Sequence, residues 1–115
     1  FAYFGGGKRS FFCASTARLI KVRLSDFTRI DALTISGLGV LHTGVIDPGA
    51  GFAYFGTENG PGTVVKIRLS DFTQAGMLTL ADGDNSLTSA VIDTGKGFAY
   101  FGTNTSPGSK CAFLI

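Results

Sequence analysis

The chain has 115 residues and a mass of 12.0 kDa, enough for one small domain and too little for two with cores of their own. Hydrophobic residues make up 44% and charged residues 16%, below the roughly 25% charge of an average domain, which excludes intrinsic disorder as the main state. Lys and Arg exceed Asp and Glu by 10 to 8, and the charges are dispersed, so no basic stripe points to nucleic acid or another polyanion.

Seventeen Gly, three Pro and eleven Phe predict an all-β chain of short apolar strands joined by tight turns. Every apolar run is broken before the roughly 18 residues of a membrane span. Cys13 and Cys111 are too few for a zinc site; two core thiols or one disulfide both fit them.

Along the chain, Phe1-Ala2-Tyr3-Phe4-Gly5 reads as a strand, followed by a Gly-rich, Lys-bearing loop through Ser10. That loop resembles a phosphate loop only superficially, because Arg9 separates Lys8 from Ser10 and no helix can follow Phe11-Phe12. Arg23-Leu24-Ser25-Asp26-Phe27-Thr28 supplies turn chemistry through its Ser and Asp. A strand ending Val45-Ile46-Asp47 then turns at residues 48–51 into a second Phe-Ala-Tyr-Phe-Gly, Phe52 to Gly56. The loop Asn59-Gly60-Pro61-Gly62 leads to Val64-Val65-Lys66-Ile67-Arg68-Leu69. Here Val65, Ile67 and Leu69 share one face and Lys66 and Arg68 the other, which predicts a half-solvated strand. Ser70-Asp71-Phe72-Thr73 repeats the earlier turn before a strand around Met77-Leu78-Thr79-Leu80. Ser89 to Asp93, a turn at residues 94–97, and Phe98 to Thr103 repeat the strand pair once more. The segment from Lys110 to Ile115 departs from the pattern of Val64 to Leu69.

The copies recur at a spacing of about 46 residues, close to the period of a β-propeller blade of four strands. Helical repeats are excluded, since apolar residues alternate by two and Gly interrupts every few positions. The expected architecture is therefore propeller-type, with four-stranded antiparallel blades: a blade fragment over 1–36, a blade over 37–82 and a blade fragment over 83–115. About two and a half units fall short of the 4 to 8 blades that close a ring, so a fragment of a larger array or an open stack with exposed Phe, Val and Ile is expected. The succession of Val-Ile-Asp, a Gly turn, Phe-Ala-Tyr-Phe-Gly-Thr, a polar loop and Val-Val-Lys-Ile-Arg-Leu-Ser-Asp-Phe resembles the Tyr-Val-Thr-Asn (YVTN) class of propeller repeat, a WD-repeat-like family. Ala53-Tyr54-Phe55-Gly56-Thr57 stands where the motif of that class falls, with Gly56 and Gly102 in place of its Thr. The resemblance implies a fold rather than an activity.

Candidate contact residues are few. Asp47 and Asp93 end corresponding strands and are candidates to line a channel or touch a ligand, with an Asx turn as the simpler role. His42, the single histidine, feeds the same strand, but its counterpart in the next copy is Thr88 and it lacks evident metal or base partners. Asp82-Gly83-Asp84-Asn85-Ser86 with Asp93 echoes a calcium loop but has Leu87 where a Gly is required. The pairs Arg23 with Asp26 and Arg68 with Asp71 read as turn braces rather than a ligand-binding ring of charges. Asn104-Thr105-Ser106 is an N-glycosylation sequon. No catalytic, cofactor or metal residue is assigned. The leading expectation is a non-catalytic module, extracellular or at the cell surface, that contacts a protein or glycan or serves as a spacer. The alternatives are a part of a lactonase-like propeller hydrolase whose site lies in other blades, and a cohesive repeat protein that self-associates through strand edges.

Overall fold

The structure is a computed structural model that describes residues 1–8, 16–36, 38–58, 61–81, 83, 85–103 and 113–114. Within these residues the chain is all-β, with no helix and three antiparallel sheets, none of them closed. The first sheet has the order β1 (Ala2–Lys8), β2 (Thr16–Arg23), β3 (Thr28–Ser36). The second runs β4 (Leu41–Asp47), β5 (Phe52–Thr57), β6 (Thr63–Arg68), β7 (Thr73–Thr79). The third joins β8 (Leu87–Asp93), β9 (Phe98–Thr103) and β10 (Phe113–Leu114). Within each sheet, strands consecutive in sequence lie side by side and pair antiparallel, and the molecule is a slab of 45 × 41 × 21 Å.

The repeat in sequence is a repeat in register. Tyr3 lies opposite Lys21 and Tyr54 opposite Lys66, and the same β-bulge follows each lysine. The turns are copied as well. Gly51 and Gly97, at φ +83° and +79°, donate their N–H to the Asp47 and Asp93 carbonyls at 2.9 Å in both units. Phe27 and Phe72 both adopt the left-handed conformation, φ 55° and 53°, which a bulky residue accepts only under compulsion from its surroundings.

Alternation along the strands builds two cores. Ala17, Leu19 and Tyr3 of the first sheet face Ala53, Phe55, Val65, Ile67 and Phe72 of the second. Val64, on the other side of the second sheet, faces Leu87, Ala99 and Phe101 of the third. The second sheet thus packs on both of its faces; β6 keeps the half-solvated face expected of Lys66 and Arg68, and only its start, at Val64, is covered there by the third sheet. Val64 and Val65 point to opposite cores and both are buried; Lys66 is half-buried and only Arg68 is exposed. Each such Val, Leu or Ile contributes about 1.5–3 kcal/mol by leaving water.

Close approach of the sheets depends on one glycine per unit. A Cβ on Gly56 would lie 2.7 Å from Leu87 Cδ1, and one on Gly5 would lie 3.1 Å from Leu41 Cβ; Leu41 and Leu87 are corresponding residues. A larger side chain has no room at either position. The expected loop between Phe4 and Ser10 is also corrected, since β1 continues through Gly5, Gly6 and Gly7 to Lys8, which pairs with Thr16. Backbone pairing with β2 extends the strand even though glycine has little intrinsic preference for it.

Candidate functional site

Among the described residues, grooves lie between neighbouring sheets. The first, of about 310 Å³, lies between β1 and β4 and is lined by Phe1, Tyr3, Gly5, His42, Gly44 and Phe55, among others. His42 is the extra residue of a bulge, since Leu41 pairs with Thr57 and Thr43 with Gly56; Thr88 takes that place between Leu87 and Ser89 in the third sheet. The bulge turns the imidazole so that Nδ1 lies 3.3 Å from Glu58 Oε2. Glu58 escaped the sequence reading because it sits beyond the end of β5, and only the bulge brings it to His42. Its backbone is engaged too, with its N–H donating to the Val40 carbonyl at 3.0 Å and its carbonyl accepting from Ser86 Oγ at 2.9 Å. Glu58 therefore ties the histidine and the link to the third sheet to one point.

The second groove, of about 300 Å³, lies between the second and third sheets and is lined by Asp47, Tyr54, Lys66, Met77, Asp93 and Phe98, among others. The structure brings the two candidate aspartates to the same groove and leaves His42 in the other. Asp47 Oδ1 accepts the Ala50 N–H at 3.1 Å and Asp93 Oδ1 the Lys96 N–H at 3.2 Å, so each carboxylate also closes its own turn. Burial, with the Asp47 charge second, raises the Tyr54 phenol above its ordinary pKa. The Lys66 ammonium lies 4.1 Å from the centre of the Phe52 ring and 5.9 Å from that of Tyr54. Lys21 repeats this over Phe1 and Tyr3 at 4.1 and 6.0 Å. Sequence reasoning missed this aromatic-lysine unit, although Phe-Ala-Tyr and the lysine-bearing strand were both visible; their register was not. The third sheet breaks the pattern, because Leu114 stands opposite Tyr100.

The Arg-Asp pairs lie away from the candidate grooves and brace their own turns, at 3.2 Å for Arg23 with Asp26 and 3.3 Å for Arg68 with Asp71. Both carboxyls are held below their ordinary pKa, first by the Thr28 and Thr73 hydroxyls, which donate at 2.7 Å, and further by the arginines. Among the described residues, no three His, Cys, Asp or Glu side chains converge as a metal set would. Cys13, Cys111, Asn104, Asp82 and Asp84 lie outside the described residues. No helix among the described residues is long and apolar enough to cross a membrane.

The class defined at this point is an all-β stack of three repeated antiparallel sheets. No known protein family, curated protein or solved structure matches the chain.

Proposed function

We propose that the three sheets are propeller-type blades of the YVTN class, and that the chain is a non-catalytic binding module whose ligand, a glycan, lies in the groove between the second and third sheets. The blade reading is supported by shared register, shared bulges, and stacking in which corresponding Gly and Leu residues meet at both sheet junctions. The binding reading is carried by one observation: Tyr54 and Phe98 share an open groove with the Asp47 and Asp93 carboxylates and the Lys66 ammonium. Aromatic rings receive the apolar face of a sugar, carboxylates accept hydroxyl hydrogen bonds, and the volume falls at the lower end of the roughly 300–1,000 Å³ of small-ligand sites.

A glycan array followed by calorimetry tests this. Phe98→Ala and Lys66→Ala are each expected to weaken binding about tenfold or more, while His42→Ala in the other groove leaves it unchanged. Binding that survives both groove substitutions, or a signal confined to a peptide array, overturns the glycan assignment.

A further inference from the structure

We propose that the glycan of the groove between the second and third sheets is an acidic one, and that the carboxylate of a sugar acid lies over Gly76 against the Lys66 ammonium. This assignment rests on the glycan reading above and adds to it the charge of the ligand and the two residues that select it.

The repeat carries a carboxylate at this place in its other copy. Across the first sheet, Lys21 stands directly opposite Tyr3 on one side and Asp31 on the other. Across the second, Lys66 stands in the same way between Tyr54 and Gly76. Residues directly opposite one another share a face, with Cβ atoms about 4.5–5.5 Å apart, and opposite charges there attract. Asp31 Oδ1 accepts the Ala32 N–H at 2.8 Å, which holds that carboxylate across from Lys21. The second sheet has no side chain at the corresponding position. A Cβ on Gly76 would meet nothing closer than Lys66 Cβ at 3.8 Å, and both residues line the groove, so the place that Asp31 fills in one copy is open to a ligand in the other.

Lys66 has its charge to offer. The Phe52 and Tyr54 rings hold the ammonium at 4.1 and 5.9 Å without neutralising it, and no Asp or Glu among the described residues forms an ion pair with it. The aspartates of the groove stand at its other end. Asp47 and Asp93 close the inner strands β4 and β8, whereas Gly76 lies on the outer strand β7. From β4 to β7 is three strand spacings, about 14 Å, beyond the Debye length of about 8 Å at physiological ionic strength. The groove therefore has two ends of opposite character. Carboxylates accept sugar hydroxyls at the inner end, and the ammonium takes an acid at the outer end.

A glycan array of uronate and sialylated glycans, each beside its carboxyl-reduced form, followed by calorimetry on the bound pairs, tests the assignment. The acidic form is expected to bind at least about tenfold more tightly than its reduced form, and about 0.5 M salt to narrow that ratio. Lys66→Met is expected to abolish the ratio. Gly76→Asp, which installs the residue of the first sheet, is expected to weaken the acidic glycan at least about tenfold more than Gly76→Asn, a change of similar size without charge. Circular dichroism of these variants is expected to match the parent, since position 76 has room for a side chain. Acidic and reduced glycans bound alike, with both lost in Phe98→Ala, would overturn the acidic assignment and leave the glycan reading standing. An array on which no glycan binds removes both. An acidic preference that survives Lys66→Met, or that Gly76→Asp and Gly76→Asn affect equally, places the acid elsewhere and overturns the role of these two residues.

Discussion

Gly56 is the most exacting position for the stacked-sheet architecture. A methyl group added there would place its carbon 2.7 Å from Leu87 Cδ1, 2.8 Å from Leu87 Cβ and 3.1 Å from Thr43 Cγ2. Ordinary carbon contacts lie at about 3.5–4.0 Å, so the overlap approaches an ångström. Leu87 is fully buried and cannot swing into solvent. Overpacking of this kind costs about 1–3 kcal/mol, against about 0.5–1 kcal/mol recovered by replacing a strand glycine with alanine. Gly56→Ala is therefore expected to destabilise by up to about 2.5 kcal/mol, which lowers the urea midpoint by up to about 1.7 M for a slope near 1.5–2 kcal/mol/M. Gly76 provides the contrast. A Cβ there meets nothing closer than Lys66 Cβ at 3.8 Å, so Gly76→Ala is expected to leave the midpoint unchanged or raise it. In a double-mutant cycle, Leu87→Ala loses about 2–5 kcal/mol alone, but less of that loss should remain when Gly56→Ala fills part of the vacated space. If Gly56→Ala raised the midpoint as Gly76→Ala does, or if the cycle showed no coupling, the close approach of the second and third sheets would be wrong.

Four further substitutions test the same packing. Phe72→Ala removes a ring that is 5% exposed and stacked on Tyr3, and is expected to cost about 3–5 kcal/mol. Phe27→Ala, at 78% exposure, should change monomer stability by no more than about 0.5 kcal/mol by chemical denaturation. Thr73→Val is expected to raise the Asp71 pKa toward the ordinary carboxylate value in a carbon-detected NMR titration, since the Thr73 hydroxyl is the first cause of its depression. In sign, the Asp71 interactions favour the fold above the ordinary carboxylate pKa and are lost as pH falls through the lowered one. The Tyr54 phenol has the opposite dependence. Its raised pKa makes ionisation unfavourable in the fold, so stability falls as pH rises from the ordinary tyrosine value toward the raised one. Asp47→Asn should lower that pKa in a phenolate absorbance titration, and an unchanged value would place the Asp47 charge too far away to act.

Much of this architecture is legible in the residues because the unit is repeated. Phe-Ala-Tyr-Phe-Gly and Arg-Leu-Ser-Asp-Phe-Thr mark β5 and the β6–β7 turn as clearly as they mark their earlier copies, and the Asx turns at Asp47 and Asp93 follow from a carboxylate placed before Gly-containing turns. Burial was harder to read. The lysine at 66 makes β6 look one-sided, yet Val64 is covered because the third sheet lies against it, and no local pattern reports what packs on the far side of a sheet. The triple glycine after Phe4 looked like a loop because local preference cannot see the partner strand from Thr16 onward. At the candidate site, the two aspartates were visible as a pair, but the ring-lysine contacts and Glu58 beside His42 depend on cross-strand register and a bulge.

The glycine and leucine that meet between sheets belong to successive units, yet the second and third units each carry both: Leu41 precedes Gly56 in the second as Leu87 precedes Gly102 in the third. A gene segment encoding one unit therefore brings the hollow and the bump together whenever it is duplicated. The array can lengthen by whole copies without a compensating change elsewhere, whereas a lone substitution at either residue is felt across a unit boundary by a neighbour that has not changed.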